Sequence, residues 1–289
     1  MLDALRESLG FPNYVAVTES WLDKGTEDIK LAGYKLVSRR DRRNMVRTDR
    51  GGIALYARDG FDTSIVHVAN SEADERSWHI IHSDMGPICA CVWYRRPNPG
   101  EVESVQRFEA ELQQYSEDCV ATIVVGDINV HNLQWLRWSN RDSPEGLELE
   151  NVCALNGLVQ HVNGPTRGDH LLDLVLADFG SGITAKITPG IHDDDHKGVL
   201  TKVNISIPES EPVRRKVFNF KKANWKKLKR ELVEVDWGEL FANCGDEGIR
   251  RHAKPLGLDV LPSGKRLFIS VRSPQLVKPM ALLLCRLPV

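Results

Sequence analysis

The stretch Ile123–Asn132, IVVGDINVHN, constrains this chain more than any other. Three β-branched residues in a row, Ile123-Val124-Val125, make a short apolar run suited to a strand buried on both faces. Gly126 follows, and a residue without a Cβ lets the backbone turn there. Asp127, Asn129 and His131 then stand at alternate positions, which an extended backbone turns to one face. A carboxylate, an amide and an imidazole at the mouth of a buried strand suit a functional site on an α/β scaffold. A strand followed by an Asx turn fits the same ten residues, so the other strand ends decide between the two.

A scaffold of that size is within reach. With 289 residues, 42% hydrophobic and 27% charged, the chain can form one large α/β domain with an appendage. A net charge of −2 and a pI near 6.5 supply no general field for a polyanion. Nucleic-acid binding must therefore rest on local basic patches. Six cysteines, Cys89, Cys91, Cys119, Cys153, Cys244 and Cys285, show no CxxC spacing. Several lie in apolar runs and read as buried free thiols of a reducing compartment rather than zinc ligands or a disulfide framework. No signal peptide opens the sequence, and the apolar run Ala281–Leu284 is too short to span a membrane. The expectation is an intracellular protein, nuclear or cytoplasmic.

Periodicity predicts a helix over Met1–Gly10 and strands over Tyr14–Val17, Leu31–Val37, Gly52–Tyr56, Ser64–Ala69, Trp78–His82 and Ile88–Tyr94. Glu19 stands just past the first of these strands, and Tyr94 ends the last, before the loop Arg95-Arg96-Pro97-Asn98-Pro99. Ser38–Arg50 carries six arginines and reads either as a phosphate-contacting loop or as a solvated one. Helices are expected over Ser104–Cys119, capped by Ser104, and over Ser143–Asn156, capped by Ser143 with Pro144 first. Strands follow at Leu158–Val162, Leu171–Ala177, Ile183–Thr188 and Val199–Ile207. Asp173 interrupts the apolar run LLDLVLA, where a carboxylate is expensive to bury without a partner. The acids Asp193, Asp194 and Asp195 repel one another unless a cation or donors offset them. Val213–Arg230 holds nine Lys or Arg and no acid, and beyond about Gly238 no periodic run persists.

Strand ends thus present Glu19, Tyr94, Asp127, Asn129, Asp173 and the pair Asp195-His196. Phosphate-ester hydrolysis needs a cation to neutralise the phosphate, a base to activate water, and donors for the charge that develops. Oxygen ligands such as Glu19 and Asp195 suit Mg²⁺ or Mn²⁺. An Asp173–His196 hydrogen bond would fix the imidazole tautomer and raise its basicity. In order, the motifs TESWL, YRRP, GDINVHN, PTR, LLDLVLAD and DDDH cover roughly residues 13–208. In that order and spacing the chain resembles the endonuclease/exonuclease/phosphatase superfamily, and within it the apurinic-type endonuclease domain of non-LTR retrotransposons.

The resemblance implies a DNase I-like, four-layered α/β sandwich, with two mixed, mostly antiparallel sheets packed face to face and flanked by helices. It implies metal binding by Glu19 and Asp195, and catalytic roles for His196, Asp127, Asn129, Tyr94 and Asp173. It places Thr166 and Arg95 at the substrate. It implies DNA as partner, fusion to a reverse transcriptase in a full-length element, and Mg²⁺ (or Mn²⁺) as cofactor. Family members open with a strand bearing a metal-binding asparagine, which this sequence lacks ahead of its first helix, so a gap in one sheet is expected. The domain reading is an endonuclease/exonuclease/phosphatase domain over 1–208, a basic connector over 209–237 and an unassigned tail over 238–289. The functional expectation is DNA nicking for retrotransposition. An inactive remnant that keeps the fold is the alternative, followed by a phosphomonoesterase or inositol phosphatase of the same superfamily.

Overall fold

The computed structural model describes residues 11–22, 25, 27–42, 51–179, 182–189, 196–207 and 279–286, with Lys226, Arg230, Val233 and Glu234. The chain divides into two units, Met1–Pro212 with Gln275–Val289, and Val213–Pro274. The four described residues of the second unit are helical and exposed. The expected helix over Met1–Gly10 and most of the basic connector lie outside the described residues.

The first unit is built on two six-stranded sheets. One holds β1 (Tyr14–Thr18), β2 (Tyr34–Arg40), β3 (Ile53–Arg58), β10 (Ile183–Thr188), β11 (Gly198–Ser206) and β12 (Pro279–Arg286), in the order β10-β11-β12-β1-β3-β2. The other holds β4 (Ile65–Asn70), β5 (Glu75–Ser83), β6 (Gly86–Tyr94), β7 (Ala121–Asp127), β8 (Val159–Gln160) and β9 (Asp173–Ala177), in the order β4-β5-β6-β7-β9-β8. Only β1–β12 and β6–β7 are parallel pairs; the remaining neighbours are antiparallel. This is the expected α/β sandwich.

The two sheets share a core, and strand alternation shows how. Tyr14 and Ala16 of β1, Ile53, Leu55 and Ala57 of β3, and Met280, Leu282 and Leu284 of β12 join Ile81, Ile123 and Val125 of the other sheet in one apolar cluster. The intervening residues Val15, Val17, Ala54, Tyr56, Leu283 and Cys285 face the opposite side, where Leu31 covers them. Central strands covered on both faces account for the unbroken apolar runs in the sequence. On the second sheet, α1 (Glu103–Ser116) lays Val105, Phe108 and Leu112 inward. Phe108 stacks on Trp93 at 4.7 Å and on Trp78 at 6.0 Å between ring centroids.

Several expectations are corrected. The predicted gap in the sheet is filled, because Pro279–Arg286 of the unassigned tail forms β12 between β1 and β11. Its unbroken apolar residues are legible only as a short hydrophobic run, since nothing in the intervening sequence signals its partners. Helix α1 starts one residue before Ser104, at Glu103, with Val102 at the cap position. Ser104 is instead buried, accepting a hydrogen bond from Arg95 Nε at 3.0 Å. Ser143 does cap α2 (Pro144–Leu155), accepting from Gly146 N at 3.2 Å. Of its apolar residues, Leu149 and Val152 are buried, whereas Leu147 and Leu155 are exposed. Gly126 lies inside β7 rather than at a turn. A Cβ there would sit 1.7 Å from the Trp93 carbonyl oxygen, so the glycine permits the close approach of β6.

Candidate active site

Ladder register, not sequence proximity, assembles the site. On the parallel β6–β7 pair Tyr94 stands beside Asp127, and on the antiparallel β7–β9 pair Asp127 stands beside Asp173. Three strand ends thus set a phenol and two carboxylates in one row. Asp173 is the first residue of β9 rather than an interruption within it. The other sheet adds a residue from each of two strands. Glu19 directly follows β1, and His196 lies two residues before β11.

His196 is the best-defined member. Its Nδ1 lies 3.2 Å from Asp173 Oδ2, and both side chains are buried. An ionised carboxylate only accepts, so Nδ1 carries the proton and Nε2 presents its lone pair. That Nε2 is buried and has no hydrogen-bond partner. Burial disfavours the imidazolium, but the hydrogen bond and charge of Asp173, together with the charge of Asp127, outweigh it and hold the pKa above the ordinary imidazole value.

Asp127 is buried as well, and its Oδ1 also lacks a partner. Desolvation and the neighbouring Asp173 carboxylate push its pKa up to about 8, against the charge of His196, the Asn129 amide and the charge of Arg167. One ligand atom each from Asp127, Asp173 and His196 falls within 4.8 Å of the others. Two unpartnered buried polar atoms on members of one such cluster call for a water or a cation.

Glu19 is held in the left-handed region at φ 51°, and Trp21 two residues on is at φ 54°. The Tyr94 hydroxyl donates to Glu19 Oε1, and Trp21 Nε1 donates to Oε2 at 3.2 Å. Desolvation, with the charge of Asp127 adding to it, pushes Tyr94 up to about 12, so it stays a donor at neutral pH. Asn129, at φ 52°, breaks the alternation expected of IVVGDINVHN. Its amide donates to the Arg95 carbonyl at 2.9 Å. His131 falls away from the set: its ring lies edge-on to His170 at 5.6 Å, and its backbone N–H donates to Ser143 Oγ.

Two residues assigned to substrate have other work. Arg95 is 3% exposed, and its guanidinium donates to Ser104 Oγ and to the carbonyls of Arg96, Asn98, Glu101 and Asn129. These bonds tie down the loop after β6. Thr166 is fully buried, and its Oγ1 accepts from Leu172 N at 3.1 Å and Asp173 N at 3.0 Å. Its carbonyl accepts from Lys197 N at 2.8 Å, so one threonine fixes the backbone beside both members of the Asp173–His196 pair. Asp195 and its acidic neighbours lie outside the described residues. Among the described arginines of the Ser38–Arg50 stretch, Arg39 pairs with Asp28 and Asp41, Arg42 pairs with Glu75, and Arg40 donates to the Glu72 carbonyl. Sequence reading overlooked Arg167, whose charge acts on both Asp127 and His196; its place in PTR was the only signal. It also overlooked Trp21 as the holder of Glu19.

Residues 88–200 match the family model described as endonuclease-reverse transcriptase. No curated protein matches the chain. Among solved structures, the endonuclease domain of TRAS1, a telomere-specific non-LTR retrotransposon, is similar with a TM-score of 0.51 at 15% identity, over 70% of this chain and 90% of that one. The APE2 catalytic domain of Xenopus laevis is similar with a TM-score of 0.52 at 15% identity, over 73% of this chain and 88% of that one. At such identities the likeness is one of fold. The architecture is that of the DNase I-like α/β sandwich, and the stretch from β6 into β11 is similar to the endonuclease-reverse transcriptase family.

Proposed function

We propose that this chain is a Mg²⁺- or Mn²⁺-dependent phosphodiester hydrolase that nicks DNA, acting as the endonuclease of a non-LTR retrotransposon and releasing a 3′-hydroxyl for priming. One observation carries the reading: Asp127, Asp173 and His196 form one buried cluster in which Asp173 holds the imidazole, while Asp127 Oδ1 and His196 Nε2 have no hydrogen-bond partner. The residues fit a hard divalent cation, since the cluster offers the carboxylates of Asp127 and Asp173 beside His196, with Glu19 and Asp195 proposed as further ligands. A bound cation would neutralise phosphate charge and relieve the repulsion between Asp127 and Asp173.

The chain's own residues do the rest. His196 Nε2 takes the proton from the attacking water while Asp173 keeps the Nδ1 proton in place and balances the imidazolium. Asp127 Oδ1 accepts a hydrogen bond from that water and aims it. Tyr94, the register neighbour of Asp127, and Trp21 hold the Glu19 carboxylate, and Asn129 ties the turn after β7 to the loop after β6. Arg167 adds positive charge where phosphate oxygens would lie. The sheet gap that favoured an inactive remnant is closed by β12, although β12 ends in Cys285 and Arg286 where an asparagine is expected.

Incubation of the purified chain with supercoiled plasmid and Mg²⁺, beside Asp127→Ala and His196→Ala variants, tests the reading. Wild type is expected to nick about 10²–10⁴ times faster than His196→Ala, the usual contribution of a general base. Equal rates for wild type and both variants would sink it.

A further inference from the structure

Strand β12 reaches its place from far along the chain. β11 ends at Ser206 and β12 begins at Pro279, yet β12 lies hydrogen-bonded between β11 and β1. It runs parallel to β1, from Tyr14 beside Leu282 to Thr18 beside Arg286, and antiparallel to β11, with Val199 beside Leu284. Asn13 clamps its start twice: Asn13 N donates to the Ala281 carbonyl, and Ala281 N donates to Asn13 Oδ1, both at 2.7 Å. Met280, Leu282 and Leu284 fill the core between the sheets, while Leu283 and Cys285 fill the opposite cluster.

Without β12 the sheet order β10-β11-β12-β1-β3-β2 would fall into β10-β11 and β1-β3-β2, each with a bare edge of unpaired N–H and C=O groups. The two strands it joins carry the site. Glu19 follows β1, and His196 lies just ahead of β11, both at the end of the sheet where β12 finishes. No other described strand pairs with both β1 and β11.

We propose that the lane between β1 and β11 is a strand-acceptor site, that its ligand is an extended apolar segment supplied here by residues 279–286 of the same chain, and that seating this segment sets Glu19 and His196 at one edge. Recognition is β-strand addition: backbone hydrogen bonds on two sides give affinity, and alternate side chains entering two apolar clusters give register. A long sequence separation makes such an element separable, and a second copy of this chain could lend the same segment by strand exchange.

The test uses the full chain and does not depend on nuclease activity, so it can fail or succeed independently of the function proposed above. Lys202 and Ala281 are register partners on β11 and β12, and Lys202 is exposed. A Lys202→Cys, Ala281→Cys double variant under mild oxidation is expected to form a cross-link within a monomer, absent from either single variant. No cross-link overturns the acceptor site, and a cross-linked dimer overturns the assignment of the occupant to the same chain. Hydrogen exchange on the unmodified chain is the second measurement. Amides of 280–285 should be protected as strongly as those of β1, whereas exchange at the rate of an unstructured peptide overturns the proposal. For the seating claim, a specific protease site is introduced into the 209–274 segment and cut. Loss of the 279–286 fragment should remove exchange protection from β1 and β11 together; protection unchanged in both overturns it.

Discussion

At the scale of single residues, the site is governed by how two carboxylates and an imidazole share a buried space. Asp127 has its pKa raised, by desolvation first and the Asp173 charge second. The sign follows: between the ordinary aspartate pKa and about 8 the folded state binds a proton that the unfolded state has released, so stability falls as pH rises through that window. Asp127→Asn is therefore expected to stabilise the metal-free protein at pH 8 by about 1–3 kcal/mol while abolishing nicking. Thermal melts with and without Mg²⁺ check this, because the ion should raise the melting temperature of wild type but not of the variant. His196 is raised for a different reason, its bond to Asp173 prevailing over burial. A base works only when deprotonated, so the acidic limb of kcat/KM is displaced upward in pH. Asp173→Asn should move that limb down, which a pH–rate profile of both proteins reads directly. The stability that His196 gains from Asp173 is full below the ordinary imidazole pKa and is lost as pH rises through the raised one.

At the scale of elements, short backbone contacts decide where those side chains go. Thr166 Oγ1 receives two N–H groups at the start of β9, and its carbonyl receives the N–H of Lys197 beside His196. Thr166→Val keeps the shape and strands both donors. The expected cost is about 1–3 kcal/mol of stability, with a fall in nicking rate at unchanged DNA affinity, and Thr166→Ser should restore both. Chemical denaturation together with binding and rate assays would reveal a substrate contact instead, if affinity alone fell. The IVVGDINVHN motif shows what was legible at this scale. Its apolar half is β7 as expected, and Asp127 occupies the strand end. The alternation fails at Asn129 because a left-handed turn, stabilised by the Arg95 loop, takes over where the ladder stops. His131 is carried away from the site by that turn.

At the scale of the whole molecule, two sheets lean on one core to which the chain's last described strand contributes three residues. Leu282→Ala removes a side chain at the centre of that core and should cost about 2–5 kcal/mol. Leu155→Ala on α2, 79% exposed, should cost almost nothing despite its place in the apolar pattern. Urea unfolding of the two variants checks the contrast, and equal midpoints would mean that β12 is not part of the core. The apolar run at 281–284 pairs with β1 on one side and β11 on the other; among the described residues no helix is long and apolar enough to cross a membrane.

Sequence by itself determined the alternating and unbroken apolar runs, hence the strands and the fold class, and the order of polar residues at their ends. Those signals are local, set by side-chain period and turn chemistry over ten residues or fewer. Tertiary structure alone decided which polar residues touch. Register put Tyr94, Asp127 and Asp173 in one row; packing sealed Arg95 and Thr166 inside the protein; and a strand from the far end of the sequence took the centre of a sheet. Each of these rests on pairing between segments distant in sequence, which no local pattern specifies.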